Sequence, residues 1–142
     1  MGGALRPRPA VNDDNRFFFE GLDRGELRIQ CCGTCDRLTH PPTPWCPSCG
    51  DPEPTSRAMS GRGTVFTYTV THHPQVEGFD YPLVVAVVEL EEGVRLITDL
   101  VDIAVEQVCC GLPVELTVRD VGGLTLPLFC PADGGDDAGS TA

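Results

Sequence analysis

The sequence contains no lysine; every one of its ten basic residues is an arginine. That absence removes lysine Schiff-base chemistry, the usual anchor for pyridoxal phosphate and the lysine of a Walker phosphate loop. Also lacking is any apolar run near the roughly 18 residues that span a bilayer. The N-terminus, MGGALRPRPAV, has no apolar signal-peptide core, and Arg6 stands where a myristoylation motif needs Ser or Thr. A cytoplasmic location is therefore expected. There, eight cysteines point to metal binding or spare thiols rather than disulfides. Cationic surface is scarce too: 21 acidic residues leave a formal net charge of −11. Nucleic-acid affinity comes largely from neutralising phosphates, so general binding to nucleic acid is not expected.

What is present divides the chain by composition. Residues 1–11 are rich in Gly, Pro and Arg and read as a flexible arm. Residues 12–30 read as a helix and then a short strand. Asn12 is placed to cap, Phe18 and Leu22 fall four apart, Gly21 and Gly25 are candidate terminators, and Glu26 to Gln30 alternates. Phe17, Phe18 and Phe19 cannot all point to one helical face, so the rings enter a groove of their own chain or meet a partner. Residues 31–60 carry the cysteine motifs and a linker. From Gly61 to residue 131 the pattern turns to strands. Thr64–Thr71 alternates, with Phe66, Tyr68 and Val70 expected inward. Leu83–Val88 is apolar enough for a strand covered on both sides, and Glu91-Glu92-Gly93 marks a hairpin. A helical turn is expected at 104–109 with Asp102 near its cap. Val114–Arg119 alternates again, Gly122-Gly123 turns the chain, and Leu124, Leu126, Leu128 and Cys130 form the expected last inward row. Three meandering strands, a crossover and two more strands fit a five-stranded OB-fold barrel. The acidic tail, 132–142, reads as disordered.

The strongest chemical signal is Cys32-Gly-Thr-Cys35 followed after ten residues by Cys46-Pro-Ser-Cys49. Each C-x-x-C turn aims two sulfurs at neighbouring vertices of a tetrahedron, and two such knuckles close a structural zinc site. Gly50, and Asp36 at the matching position, follow the knuckles where the backbone must turn under the sulfurs. Geometry alone leaves iron open, whereas a thioredoxin-like motif would need a helix in a βαβ unit. A ribbon this small cannot fold on its own apolar surface, so the ion is expected to act as scaffold. Cys31 is a weaker competitor for the metal; Cys109, Cys110 and Cys130 read as small core residues.

With those residues in view, the chain resembles the rubredoxin-like zinc-ribbon plus OB-fold proteins, long catalogued as a domain of unknown function, that accompany thiolase-superfamily enzymes. The matching stretches are FFFEGLDRGELRIQCCGTCDRLTHPPTPWCPSCG, SGRGTVFTYTV, YPLVVAVVELEEGVRLITDLVD and GLPVELTVRDVGGLTLPLFCPA, in that order. The resemblance implies a mostly β chain with a short N-terminal helical segment, a rubredoxin-like zinc ribbon and an OB-fold barrel. It implies an accessory subunit, not catalytic alone, of a hetero-oligomer with a thiolase or a lipid-transfer-protein-like aldolase. That enzyme acts on acyl-CoA, as in steroid side-chain breakdown, and the OB domain helps form the acyl-CoA path.

Other residues are candidates for ligand binding or catalysis. Arg62, between two glycines, and Arg57 are candidate contacts for the phosphates of a CoA thioester. His40, His72 and His73 are candidate bases, though the preferred reading is of loop histidines bonded to backbone or facing water. Phe79, Tyr81 and Pro82 lie in a loop where OB-folds often hold ligands. The alternative function is single-stranded nucleic-acid binding with Phe66 and Tyr68 as stacking rings, against which their expected inward placement and the missing lysine count.

Overall fold

A computed structural model describes residues 6–132. The expected freedom of residues 1–5 and disorder of 133–142 concern positions outside the described residues. No helix among the described residues is long and apolar enough to cross a membrane.

Helix α1 spans Arg16–Asp23, shorter than expected. Asn12 does not cap it. Its Oδ1 accepts the N–H groups of Asp14 and Asn15 at 2.9 and 3.1 Å, closing a turn ahead of the helix. Gly25, at φ +79°, ends it: Glu26 N–H donates to Gly21 O and Gly25 N–H to Leu22 O, the two bonds of a Schellman motif. Gly21 is no terminator but a contact point, because a Cβ there would sit 2.9 Å from Arg28 Cγ. All three phenylalanines are half-buried within the chain. Phe18 meets Phe19 edge-on at 5.2 Å and stacks on His40 at 5.4 Å.

A first sheet, in the order β2-β1-β3, joins β1 (Arg28–Cys31), β2 (Leu38–Thr39) and β3 (Thr55–Ala58). The second has the order β6-β5-β4-β7-β8. It comprises β4 (Arg62–Thr71), β5 (Leu83–Leu90), β6 (Arg95–Asp99), β7 (Pro113–Val121) and β8 (Leu124–Pro131). A parallel bridge between Leu100 and Phe129, with Val101 N–H donating to Phe129 O at 2.9 Å, nearly closes it into a barrel. One core serves both sheets: Leu27, Ile29 and Met59 pack with Val65, Val88, Leu90 and Phe129 of the barrel.

Several side chains face otherwise than their alternation suggests. The register of β4 against β5 slips between Val65, opposite Val88, and Thr67, opposite Val87, which leaves Phe66 as the extra residue. This bulge turns Phe66 out of the barrel, 46% exposed with Arg95 over its ring at 3.6 Å, while Val65 takes the core position. Tyr68 and Val70 keep the inner register opposite Ala86 and Val84, but Tyr68 sits where β4 has run past β7, whose pairing ends at Thr64, and it too is exposed. On β5 only one face is fully buried: Val84, Ala86, Val88 and Leu90. On β8 the inner residue is Phe129, opposite Leu116, rather than the row Leu124, Leu126, Leu128 and Cys130. Leu128 is buried as well, on the opposite side of a strand that α1 also contacts. The strand is apolar on both sides, so its alternation favours neither. The crossover holds a single 3-10 turn, Val105–Gln107, capped by Ala104; Asp102 ion-pairs with Arg119 instead.

The arm is tethered at its inner end. Arg6 donates to Asp99 Oδ2 at 2.8 Å and covers the Phe79 ring at 4.4 Å.

Gly63 marks the tightest approach in the barrel: a Cβ there would lie 2.5 Å from Glu89 O. Gly63→Ala is expected to cost about 1–3 kcal/mol through forced backbone shift, and Phe129→Ala about 3–5 kcal/mol through a core cavity. Denaturant titration of both variants checks the two values.

Candidate metal centre

The knuckles are near copies of one another. In the first, Cys32 N–H donates to Arg37 O and Asp36 N–H to Cys32 O; in the second, Cys46 N–H donates to Asp51 O and Gly50 N–H to Cys46 O. Asp36 at φ 68° and Gly50 at φ 81° make the left-handed step that each turn requires. N–H groups inside the turns then point at sulfur. Thr34 and Cys35 donate to Cys32 Sγ, and Ser48 to Cys46 Sγ, each at 3.4 Å.

The four sulfurs of Cys32, Cys35, Cys46 and Cys49 lie within 4.8 Å of one another. The Cys32–Cys49 and Cys35–Cys46 separations are 3.5 and 3.6 Å, far from the roughly 2.0 Å of a disulfide. Four sulfurs bound about 2.3 Å from one ion stand about 3.8 Å apart, so the cluster has the size of a zinc tetrahedron.

Its electrostatics call for a cation. The N–H of Cys49 foremost, then that of Ser48, hold the Cys46 thiol down to about 6 against the effect of burial. At Cys49 the N–H of Asp51 favours the thiolate. Cys32, desolvation and the other sulfurs outweigh it and push the thiol up to about 12. One thiolate forms readily; the last pays for the crowding. A dication at the centre removes that repulsion and deprotonates all four. Held by four protein sulfurs, such an ion keeps no open position for substrate, so its chemistry here is structural.

Residues outside the motifs tie the centre in place. Gln30, buried in β1, donates from Nε2 to Thr43 Oγ1 at 3.0 Å and accepts Thr43 N–H at 2.7 Å. It thereby fixes the loop between the knuckles. Asp51 Oδ2 accepts the Thr34 hydroxyl at 2.6 Å, linking one knuckle to the other. Nothing in the spacing signals Asp51; Gln30 is visible only as a polar residue on an otherwise apolar strand.

Cys31 is buried in β1 and is not among the clustered sulfurs, because successive strand residues face opposite ways. Cys109 and Cys110 are exposed, contrary to the expected core role, and Cys130 is half-buried in β8 opposite Glu115. A tight turn, not a strand, carries the adjacent pair. His72 and His73 are exposed beyond the end of β4. His40 is half-buried, stacked on Phe18 at the edge of a surface hollow, with a buried Nδ1 that finds no hydrogen-bond partner among the described residues. Tyr81 Oη accepts Val76 N–H at 2.8 Å, tying the β4–β5 loop to itself. Arg62 donates to Glu91 Oε2 at 2.7 Å. Arg57 lines a separate hollow that also holds Arg37, Asp36 and Glu92. The two arginines therefore flank the Glu91–Gly93 turn without converging.

A rubredoxin-like ribbon whose first strand enters the core of an OB-type barrel defines the class. Residues 19–55 match the rubredoxin-like zinc ribbon domain of ChsH2, and residues 56–119 its C-terminal OB-fold domain. The chain belongs to this ChsH2, or DUF35, family. It is 48% identical over 130 residues to a probable enoyl-CoA hydratase alpha subunit of Thermomonospora curvata, covering 91% of this chain and 41% of that protein. It is 41% identical over 113 residues to the 3-oxo-4,17-pregnadiene-20-carboxyl-CoA hydratase alpha subunit of Mycobacterium tuberculosis, covering 80% and 36%. The chain thus spans about two fifths of the length of these curated relatives. Among solved structures it resembles a chain of the Ltp2-ChsH2(DUF35) aldolase, at 46% identity and a TM-score of 0.83, covering 87% of this chain and 98% of that one.

Freshly isolated protein is expected to carry one zinc per chain by elemental analysis. Cys46→Ser, or prolonged chelation, is expected to release it and unfold the ribbon, read as lost near-ultraviolet signal from Trp45. Burial holds the His40 imidazole below its ordinary value, so the folded chain binds that proton less readily than the unfolded chain. The stability this residue contributes is complete above pH about 6.5 and declines as pH falls through the lowered folded value. Between pH 7.5 and 5.5, with zinc retained, wild type is expected to lose more stability than His40→Gln in denaturant melts.

Proposed function

We propose that this chain is the zinc-bearing accessory component of a thiolase-superfamily aldolase or thiolase that works on acyl-CoA carbon–carbon bonds. The observation that carries the reading is its likeness, over nearly the whole partner-bound chain, to the ChsH2 component of the Ltp2-ChsH2(DUF35) aldolase. The name of the mycobacterial relative, a pregnadiene-carboxyl-CoA hydratase alpha subunit, supports a place in steroid or lipid breakdown.

In this reading one structural zinc, held by Cys32, Cys35, Cys46 and Cys49, braces the ribbon. The barrel is docked against the aldolase in a hetero-oligomer and helps shape the acyl-CoA site. The outer face of β4, β5 and β6 is suited to such a role: Ile97 is 73% exposed beside Val87 and Arg95 in a hollow of about 430 Å³. Arg57 and Arg62, both exposed, contact CoA phosphates, with Arg62 exchanging its Glu91 partner for phosphate. Carbon–carbon cleavage then belongs to residues of the partner.

Co-expression with a thiolase-superfamily aldolase is expected to yield a complex that co-purifies and turns over acyl-CoA substrate. In it, alanine at Arg57 and Arg62 weakens CoA-thioester binding while assembly persists. Failure to associate, together with full turnover by the isolated chain, would falsify the proposal.

A further inference from the structure

We infer that Cys109 and Cys110 form a two-sulfur capture site for trivalent arsenicals, which are soft species able to bond two thiols at once. The inference is independent of the proposed function. Both cysteines are exposed, although cysteine is among the residue types most often buried. They are the only exposed cysteines outside the metal cluster.

The turn that presents them is pinned at both ends. Val108, buried at 5% exposure, anchors the chain ahead of it. Behind it Leu112 N–H donates to Cys109 O at 3.2 Å, Gly111 N–H to Val65 O at 2.7 Å, and Val65 N–H to Leu112 O at 3.0 Å. Gly111, at φ +90°, supplies the left-handed step of the turn. The two cysteines thus leave a fixed backbone at consecutive positions, which lowers the ordering cost of binding one ligand through both.

Adjacent Cα atoms are about 3.8 Å apart, closer than the 4.4–6.8 Å that unstrained disulfides span. The pair is therefore poorly placed to close on itself and better placed to share a larger bridging atom. With an organic arsenic oxide, two As–S bonds replace the bonds to oxygen, and the oxygen leaves as water with both thiol protons. Arsenic stays trivalent, and no oxidant or reductant is needed.

Phenylarsine oxide added to the reduced, zinc-loaded full chain tests this by intact-protein mass spectrometry with parallel zinc analysis. One adduct per chain is expected, of the arsenical's mass less one water, with zinc retained and with reversal by a small dithiol. Cys109→Ser and Cys110→Ser should each weaken uptake about a hundredfold, the loss of a tethered second bond. Cys31→Ser and Cys130→Ser should leave it unchanged. Uptake by either of the first two variants that matches the wild type, an adduct that expels zinc, or none on the wild type overturns the assignment.

Discussion

Four sulfurs held within a few ångströms of one another are stable as thiolates only around a positive charge, and the ribbon is built to impose that condition. Its turns aim N–H groups at sulfur and hold Cys46 ready to ionise, while crowding at Cys49 makes the full set depend on an ion. Little else supports this region: Trp45 is 59% exposed, and the loops are short and rich in proline. The dependence does not stop at the ribbon. β1 ends in the first knuckle, yet Ile29, two residues before Cys31, lies in the core shared with the barrel. The sulfur cluster, the strand and the barrel seam form one continuous mechanical path.

Much of this was legible in the residue order. The knuckles, the hairpins at Gly93 and Gly122-Gly123 and the meander–crossover–hairpin order of the barrel follow from turn chemistry, and glycines at those turns take the left-handed conformation. What escaped has a common cause. A bulge adds one residue to a strand without altering its composition, so Phe66 reads as inward until the register against Val87 is known. The strand around Phe129 is apolar on both faces, which erases the period that would assign them. Cys109 and Cys110 resemble core residues by type, while a turn carries them outside.

The candidate site divides along the same line. The four clustered cysteines are local in sequence, and their spacing alone points to them. Gln30 and Asp51 act across 13 and 17 residues, through hydrogen bonds to Thr43 and Thr34, and only the folded chain shows them. Single arginines and histidines carry no spacing, and their meaning rests on neighbours: Glu91 beside Arg62, Phe18 beside His40.

The two-sided filling of β8 has a consequence for how the molecule comes apart. Phe129 closes the barrel beside Leu100, its neighbour Leu128 is buried on the opposite side of the strand, and α1 packs against this same strand. Peeling this strand away would flood both layers at once, so neither the helix nor the barrel seam has an inexpensive route to opening alone. Amide protons of α1 and of the central strands should therefore exchange together, as parts of a single cooperative unit.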